Sequence, residues 1–204
     1  MARLTKAKGK LVRRFGVNIF GNQKYDRLLK KRPSLPGNPK KGRPRVTEFG
    51  RQLMEKQKLK FAYGLSERQF LNVFKKAKTM KGVTGHNMLI LLERRLDNVI
   101  YRLGMANSRA QARQIVGHGH IYMNGRKVNI PSALVKTGDI LQVKPRESSK
   151  ELLRGLIASN NHRPTPPWLS LQADELKGSI NALPTRDMIP TIVEEQQIVE
   201  FYSK

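Results

Sequence analysis

The segment 107–129 constrains the fold of this chain more than any other, because it carries the signals of a helix and of a hairpin in succession. Ser108 followed by Gln111 has the pattern of a capping box, which marks a helix start, and Gly117 is placed as the helix stop. Ala112 and Ile115 recur at helical spacing on one side. A short amphipathic helix is therefore predicted at the start of the segment.

A hairpin is predicted directly after this helix. The pair Asn124-Gly125 lies between two β-prone runs, 121–123 and 127–129, and such a pair is the strongest short-range signal of a hairpin. The residues 137–139, Thr-Gly-Asp, predict a turn before a short strand at 140–143 that can join the same sheet. Together these elements predict a small α+β module.

One long helix is predicted to precede the module, over residues 89–103, with Gly104 as its end. Its apolar face consists of Leu89, Leu92, Leu96, Val99, Ile100 and Leu103. The opposite face carries Arg94, Arg95 and Arg102. A helix with one apolar side and one arginine side suits both packing and anion binding.

Arg109 and Arg113 share a face of the following helix, because they are four residues apart. The backbone donors at the helix start beside Ser108 suit a phosphate. Asp97, which lies among these arginines, is interpreted as an ion-pair partner on the helix surface rather than a catalytic acid. The pattern predicts an anion-binding surface.

The charge of the whole chain points to a polyanionic partner. Its 40 lysines and arginines face 15 acidic residues, which gives a net charge of +25. Nucleic acid is the first candidate, because each neutralised phosphate releases counterions. Membrane surfaces are anionic too, but no apolar run approaches the roughly 18 residues of a spanning helix, and no apolar leader follows Met1. The absence of cysteine excludes disulfides and thiolate metal sites.

The basic charge is concentrated near the N-terminus, where residues 1–60 hold 19 basic and 3 acidic residues, a net of +16. The stretch 32–45 mixes four prolines and two glycines with cations, which predicts extended backbone. Residues 1–45 are expected to be a basic arm that orders on RNA. A solvated, disordered tail is the alternative.

Two further helices are expected, at 47–60 and after a capping box formed by Ser66 and Gln69. The aromatics Phe70 and Phe74 recur at helical spacing, so they are assigned to the core rather than to base stacking. Residues 148–156 favour a helix and 168–171 a strand. The segment 164–204 is net acidic, with 3 basic and 6 acidic residues, and its apolar end at 189–202 is expected to pack against protein.

The chain resembles the family of the fourth protein of the bacterial small ribosomal subunit. The matching stretches are RLDNVIYRLG (95–104), SRAQARQ (108–114), VNIP (128–131), EKQKLK (55–60), YG (63–64), ERQF (67–70) and the terminal IVEFYSK (198–204). The resemblance implies an α+β fold, in which a mostly helical domain from the N-terminal half and the extreme C-terminus is interrupted by an inserted RNA-binding module of two helices on a small antiparallel sheet. The implied bounds are 1–45 for the arm, 46–91 for the helical domain, 92–185 for the inserted module and 186–204 for the returning helix.

The resemblance also implies a function. The family binds the five-way junction of small-subunit ribosomal RNA early and nucleates assembly. It contacts the fifth small-subunit protein and lines the messenger entrance, where Arg43 and Arg45 match its basic positions, and it supports translational accuracy. The location implied is the cytoplasm or an organelle of bacterial origin. Some members repress their own messenger, and a free-standing RNA-binding regulator or chaperone is the alternative function.

Many members of this family bind zinc through four cysteines near the N-terminus, and the matching stretch 9–31 contains none. The four histidines do not replace them, because His86 and His162 are isolated and His118 and His120 are only two residues apart. No metal, cofactor or small-molecule substrate is expected. The arm must therefore fold through its own contacts or on RNA.

An enzyme is not expected, since the sequence contains no phosphate loop, dinucleotide fingerprint, metalloprotease motif or nucleophile elbow. Similar modules occur on pseudouridine synthases and tyrosyl-transfer-RNA synthetases, but the flanks leave no room for a catalytic domain. The residues predicted to bind RNA are Arg3, Arg13, Arg14, Lys40, Lys41, Arg43, Arg45, Arg51, Lys56, Lys58, Lys60, Tyr63, Arg68, Arg94, Arg95, Arg102, Ser108, Arg109, Arg113, His118, His120, Asn124, Arg126 and Lys127.

Overall fold

The chain divides into two compact units in a computed structural model that describes residues 6–37, 47–160, 163–190 and 193–203. The first unit comprises residues 1–85 and 191–204, and the second comprises residues 86–190. The first is helical, and the second combines helices with a five-stranded antiparallel sheet. The predicted α+β fold class is confirmed.

Two helices open the first unit, α1 (Lys8–Phe15) and α2 (Gln23–Lys31). The expectation of an extended arm is therefore wrong for this part of the chain. The physical reason is an apolar cluster in which Leu11, Val12 and Ile19 are buried together with Phe61. Apolar packing holds the two helices in this chain, in the stretch where no cysteines are present.

The rest of the first unit consists of α3 (Glu48–Ala62), α4 (Glu67–Lys78) and, from the other end of the chain, α9 (Glu195–Ser203). Thr47 caps α3, and both halves of the predicted capping box at Ser66 are present at the start of α4. Helix α9 packs on α3, so the C-terminal segment meets protein as expected.

The arginine-bearing helix predicted at 89–103 is two helices, α5 (Thr84–Glu93) and α6 (Leu96–Arg102). Arg95 has an extended conformation and forms a β-bridge with Leu134. The amide of Leu96 donates to the carbonyl of Ala133 at 2.8 Å, and that of Val135 to the carbonyl of Arg94 at 3.0 Å. The single-helix prediction is wrong because these long-range hydrogen bonds replace helical ones, which sequence periodicity does not report.

Helix α7 (Arg109–Gly117) follows with Ser108 as its N-cap, whose side chain accepts from the amide of Gln111. The carboxamide of Gln111 accepts from the amide of Asn107 at 2.8 Å, one residue before the position that a capping box uses. Gly117 is still helical, and the left-handed residue is Gly119, with φ of +71°. The helix therefore ends at the predicted residue, and the left-handed conformation lies two residues further on.

The sheet of the second unit has the strand order β2-β1-β3-β5-β4. Its strands are β1 (Ile121–Met123), β2 (Arg126–Val128), β3 (Ile140–Val143), β4 (Leu169–Gln172) and β5 (Lys177–Ile180). The predicted hairpin and third strand are confirmed, and β2 starts one residue early because Met123 pairs with Arg126 across a two-residue turn. Helix α8 (Glu147–Asn160) and a 3₁₀ turn (Arg186–Met188) complete the unit. Leu96, Ile100, Leu141 and Trp168 lie in its core.

Candidate RNA-binding surface

A buried carboxylate holds two of the predicted arginines. Asp97 is 3% exposed and accepts hydrogen bonds from Arg95 at 2.8 and 3.0 Å. Arg113, one helix further on, donates to the same carboxylate at 2.9 and 3.1 Å. The predicted ion pair of Asp97 is confirmed, but its predicted place on the helix surface is wrong. Asp97 fixes the positions of guanidinium groups from two separate elements.

A second buried carboxylate, Glu93, holds the rest of the group. Glu93 accepts two hydrogen bonds from Arg102, at 2.8 and 3.0 Å, and one from the side-chain nitrogen Nδ2 of Asn98, at 2.9 Å. The side-chain oxygen Oδ1 of Asn98 in turn accepts from Arg109 at 2.8 Å. Sequence reasoning missed Glu93, because it lies on α5 and Arg102 lies on α6, so no helical spacing relates the two residues.

These contacts leave the group strongly basic. The group contains five arginines (Arg94, Arg95, Arg102, Arg109 and Arg113) and only two carboxylates. Arg95, Arg102 and Arg113 pair with the carboxylates, whereas Arg94 donates to the carbonyl of Val135 at 3.0 Å. Each guanidinium has five N–H donors, of which a carboxylate engages at most two at a time. Arg94, Arg102, Arg109 and Arg113 keep partial solvent exposure, whereas Arg95 is buried. We refer to the five arginines with Asp97, Glu93 and Asn98 as the anchored arginine cluster.

The hairpin presents cations on a turn of fixed geometry. Asn124 and Gly125 have φ values of +52° and +76°, as a type I′ turn requires. The side-chain nitrogen Nδ2 of Asn124 donates to Asp139 at 2.8 Å, and the side-chain oxygen Oδ1 accepts from the backbone N–H of Ile140 at 2.9 Å. Asn124 thus has a structural role in joining the hairpin to the next strand. Arg126 and Lys127 are exposed beside the turn.

The two histidines after α7 differ in their surroundings. His118 is exposed, and its ring centroid lies 6.1 Å from that of His120. His120 is half-buried and shares a 3.0 Å hydrogen bond with the hydroxyl of Ser149. Burial, followed by the nearby charges of His118, Lys144 and Arg146, lowers the pKa of His120. His120 is thus neutral near pH 7, and His118 is the better placed of the two for a phosphate.

Several predicted contact residues of the first unit are buried instead. Lys56 is 5% exposed, donates to Glu67 at 2.7 Å and lies over the ring of Phe201 at 4.5 Å. Tyr63 is also 5% exposed. The prediction of both residues as RNA contacts is wrong, because α9 covers Lys56 and Tyr63 is buried. Lys58 and Lys60 are paired with Glu55 and Glu67 and are largely covered.

Glu67 collects three donors. Partial burial would raise the pKa of this carboxyl, but hydrogen bonds from Lys56, Lys60 and Tyr202 outweigh it and lower the pKa to about 2. Conversely, burial and the hydrogen bond to Glu67 raise the pKa of Tyr202. The cluster of Glu67, Lys56, Lys60 and Tyr202 fastens α9 to α3 and α4, so these lysines have a structural role.

The remaining predicted residues fall into three groups. Arg14, Arg51 and Arg68 are exposed on the first unit. Arg13 donates to the carbonyls of Ser34 and Leu35, at 3.0 and 3.1 Å. Arg3, Lys40, Lys41, Arg43 and Arg45 lie outside the described residues.

Within residues 6–37, 47–160, 163–190 and 193–203, no group of three or more His, Cys, Asp or Glu side chains could hold a metal ion. No helix in those ranges is long and apolar enough to cross a membrane.

An α/β unit whose arginines are anchored on buried carboxylates, with a hairpin that exposes two further cations, has the features of a nucleic-acid-binding protein. The models of the "Ribosomal protein S4/S9 N-terminal domain" and of the "S4 domain" match residues 3–93 and 94–141. The chain is 55% identical to small ribosomal subunit protein uS4 of Borrelia hermsii and 56% identical to that of Borrelia duttonii, over 100% of this chain and 99% of each relative. The uS4 of Borreliella burgdorferi strain ZS7 is 53% identical over the same shares.

The chain belongs to the family of small ribosomal subunit protein uS4. The predicted resemblance is therefore confirmed over the whole length of the chain. Because the relatives are ribosomal structural proteins, the family also confirms the prediction that the chain is not an enzyme.

Proposed function

We propose that the chain is a structural constituent of the small ribosomal subunit and binds the RNA of that subunit directly. The observation that carries the proposal is the anchored arginine cluster, since buried Asp97 and Glu93 hold the guanidinium groups of Arg95, Arg102 and Arg113 in fixed positions. Preorganised arginines lose little conformational entropy when they bind phosphate. The naming of the full-length relatives supports the same role.

The finer proposal concerns where the chain binds. Its resemblance to the family favours the five-way junction of the small-subunit RNA, early in assembly, with the basic N-terminal segment near the messenger entrance. There Arg43 and Arg45 would contact messenger RNA and influence translational accuracy. The net-acidic C-terminal segment is proposed to meet the fifth small-subunit protein, and the place of action is the ribosome in the cytoplasm.

Competition binding tests the proposal. The full chain would be titrated with a small-subunit RNA fragment that contains the five-way junction, against an unrelated folded RNA of equal length. We expect a clear preference for the ribosomal fragment and a steep dependence on salt. Equal affinity for the two RNAs would contradict the ribosomal role and leave a general RNA-binding regulator or chaperone as the better description.

Two substitutions locate the surface. Arg109→Gln and Arg126→Gln should each weaken binding of the ribosomal fragment several-fold, because each removes a cation that faces phosphate. Lys75→Gln is the matched control, since it removes an exposed cation of α4 that is not among the predicted contacts. Far-ultraviolet dichroism should be equal for all three, and a loss of helix in Arg109→Gln alone would show that this arginine is structural.

A further inference from the structure

The outer face of the sheet carries a polar row that the anchored arginine cluster does not use. Tyr122 on β1 pairs with Gln142 on β3, which pairs with Lys177 on β5. Cross-strand partners point to the same face, and their neighbours along the strands, Ile121 and Leu141, are buried in the core. The three side chains therefore form one row on the face away from the core.

A cleft of about 420 Å³ lies over this row. Besides the row itself, Lys150 and Arg154 of α8 and the turn residues Asp174 and Glu175 line it. Its volume falls in the range of about 300 to 1,000 Å³ that is typical of small-ligand sites. The cleft can hold one nucleobase with its sugar.

The charges of the cleft largely cancel. Lys177 is paired with Glu175, and Arg154 and Lys150 lie 3.2 and 3.6 Å from the exposed carboxylate of Glu147. The cleft is thus a poor site for phosphate alone. Its binding energy must come from the ring of Tyr122 and from its hydrogen-bonding groups.

Those groups suit an unpaired base. The half-exposed ring of Tyr122 offers a stacking platform, and the amide of Gln142 can both donate and accept. Asp174 lines the cleft beside them, and its carboxylate can accept from an N–H donor on the edge of any base.

We propose that this cleft binds one unpaired nucleobase of single-stranded RNA. Tyr122 stacks on the base, and Asp174 accepts from an N–H group on its edge. The positive charge of the whole chain, +25, attracts the strand to the molecule. The inference rests on the proposed function in its premise that RNA is the ligand, and it adds a site that contacts a base rather than a phosphate.

Two octamers with the same ribose-phosphate backbone, one of cytidine and one of abasic residues, test the proposal by fluorescence anisotropy with the full chain. They have equal charge, so phosphate contacts contribute equally to both. We expect the cytidine octamer to bind roughly fivefold tighter. Tyr122→Leu should abolish the difference and Asp174→Ala should reduce it, whereas Tyr122→Phe and the exposed-cation control Lys75→Gln should keep it.

Equal affinity of the unchanged chain for the two octamers would overturn the inference, as would a preference that survives Tyr122→Leu. Thermal unfolding of each variant shows whether the fold is retained, and Tyr122→Phe tests the ring independently of the hydroxyl. The ribosomal RNA competition is measured separately. A chain that prefers ribosomal RNA but does not distinguish the octamers would refute this site alone.

Discussion

At the scale of single residues, buried carboxylates determine which arginines remain exposed and available to bind RNA. Arg95 lies beside Asp97 in the interior, where burial is compensated by two hydrogen bonds. Arg113 reaches the same carboxylate from the next helix and keeps part of its surface in solvent. Arg95 and Arg113 look equivalent in the sequence, but Arg95 supports the surface from the interior, whereas Arg113 forms part of it.

Removal of the carboxylate should destabilise the second unit. Asp97→Asn leaves Arg95 buried without its counter-charge, so we expect a loss of about 3 kcal/mol or more in the free energy of unfolding. Glu147→Gln removes a carboxylate from an exposed ion pair and should cost less than about 1 kcal/mol. Urea unfolding measures both. Equal losses would mean that Asp97 contributes no more than a surface acid.

A second residue-scale prediction concerns pH. The lowered pKa of Glu67, about 2, means that its stabilising effect is fully present above pH 4.5 and is lost as pH falls toward 2. The stability difference between the unchanged chain and Glu67→Gln should therefore be constant from pH 7 to 5 and shrink from pH 4.5 to 3. Urea unfolding at several pH values measures the difference, with Glu151→Gln as an exposed control. A difference that grows with acidity would show that the assigned hydrogen bonds are wrong.

At the scale of elements, two glycines should respond to alanine in opposite directions. A Cβ at Gly178 on β5 would lie 2.5 Å from a methyl group of Leu103, so Gly178→Ala should destabilise by about 1 to 3 kcal/mol through overpacking. A Cβ at Gly155 within α8 would meet nothing within 4 Å, so Gly155→Ala should stabilise by about 0.5 to 1 kcal/mol. Thermal unfolding distinguishes them, and equal signs would contradict the packing of α6 on the sheet.

The elements also show how far the sequence could predict the fold. The hairpin at Asn124 and the helix cap at Ser66 depend on local hydrogen bonds, and both are found where they were expected. The break at Arg95 depends on a distant loop, and the burial of Lys56 depends on α9 from the other end of the chain. Local patterns therefore predicted the elements that local hydrogen bonds hold, while long-range contacts placed α1 and α2, broke the helix at Arg95 and decided which cations remained available.

At the scale of the whole molecule, net charge governs the response to salt. With a net charge of +25, the chain should lose affinity for ribosomal RNA steeply as salt rises. Arg126→Gln removes one exposed cation and should reduce the logarithmic salt slope by about 1, provided that Arg126 contacts one phosphate. Filter binding at 50 to 300 mM salt measures the slope. An unchanged slope would place the hairpin tip away from the RNA backbone.

The chain is expected to be built into the small ribosomal subunit. An epitope-tagged copy expressed in bacterial cells, followed by sucrose-gradient sedimentation in magnesium buffer, tests it most directly. We expect the tagged chain to migrate with the small subunit and with intact ribosomes, and to remain there after a moderate salt wash. A tagged chain found only at the top of the gradient, or only with the large subunit, would contradict the claim.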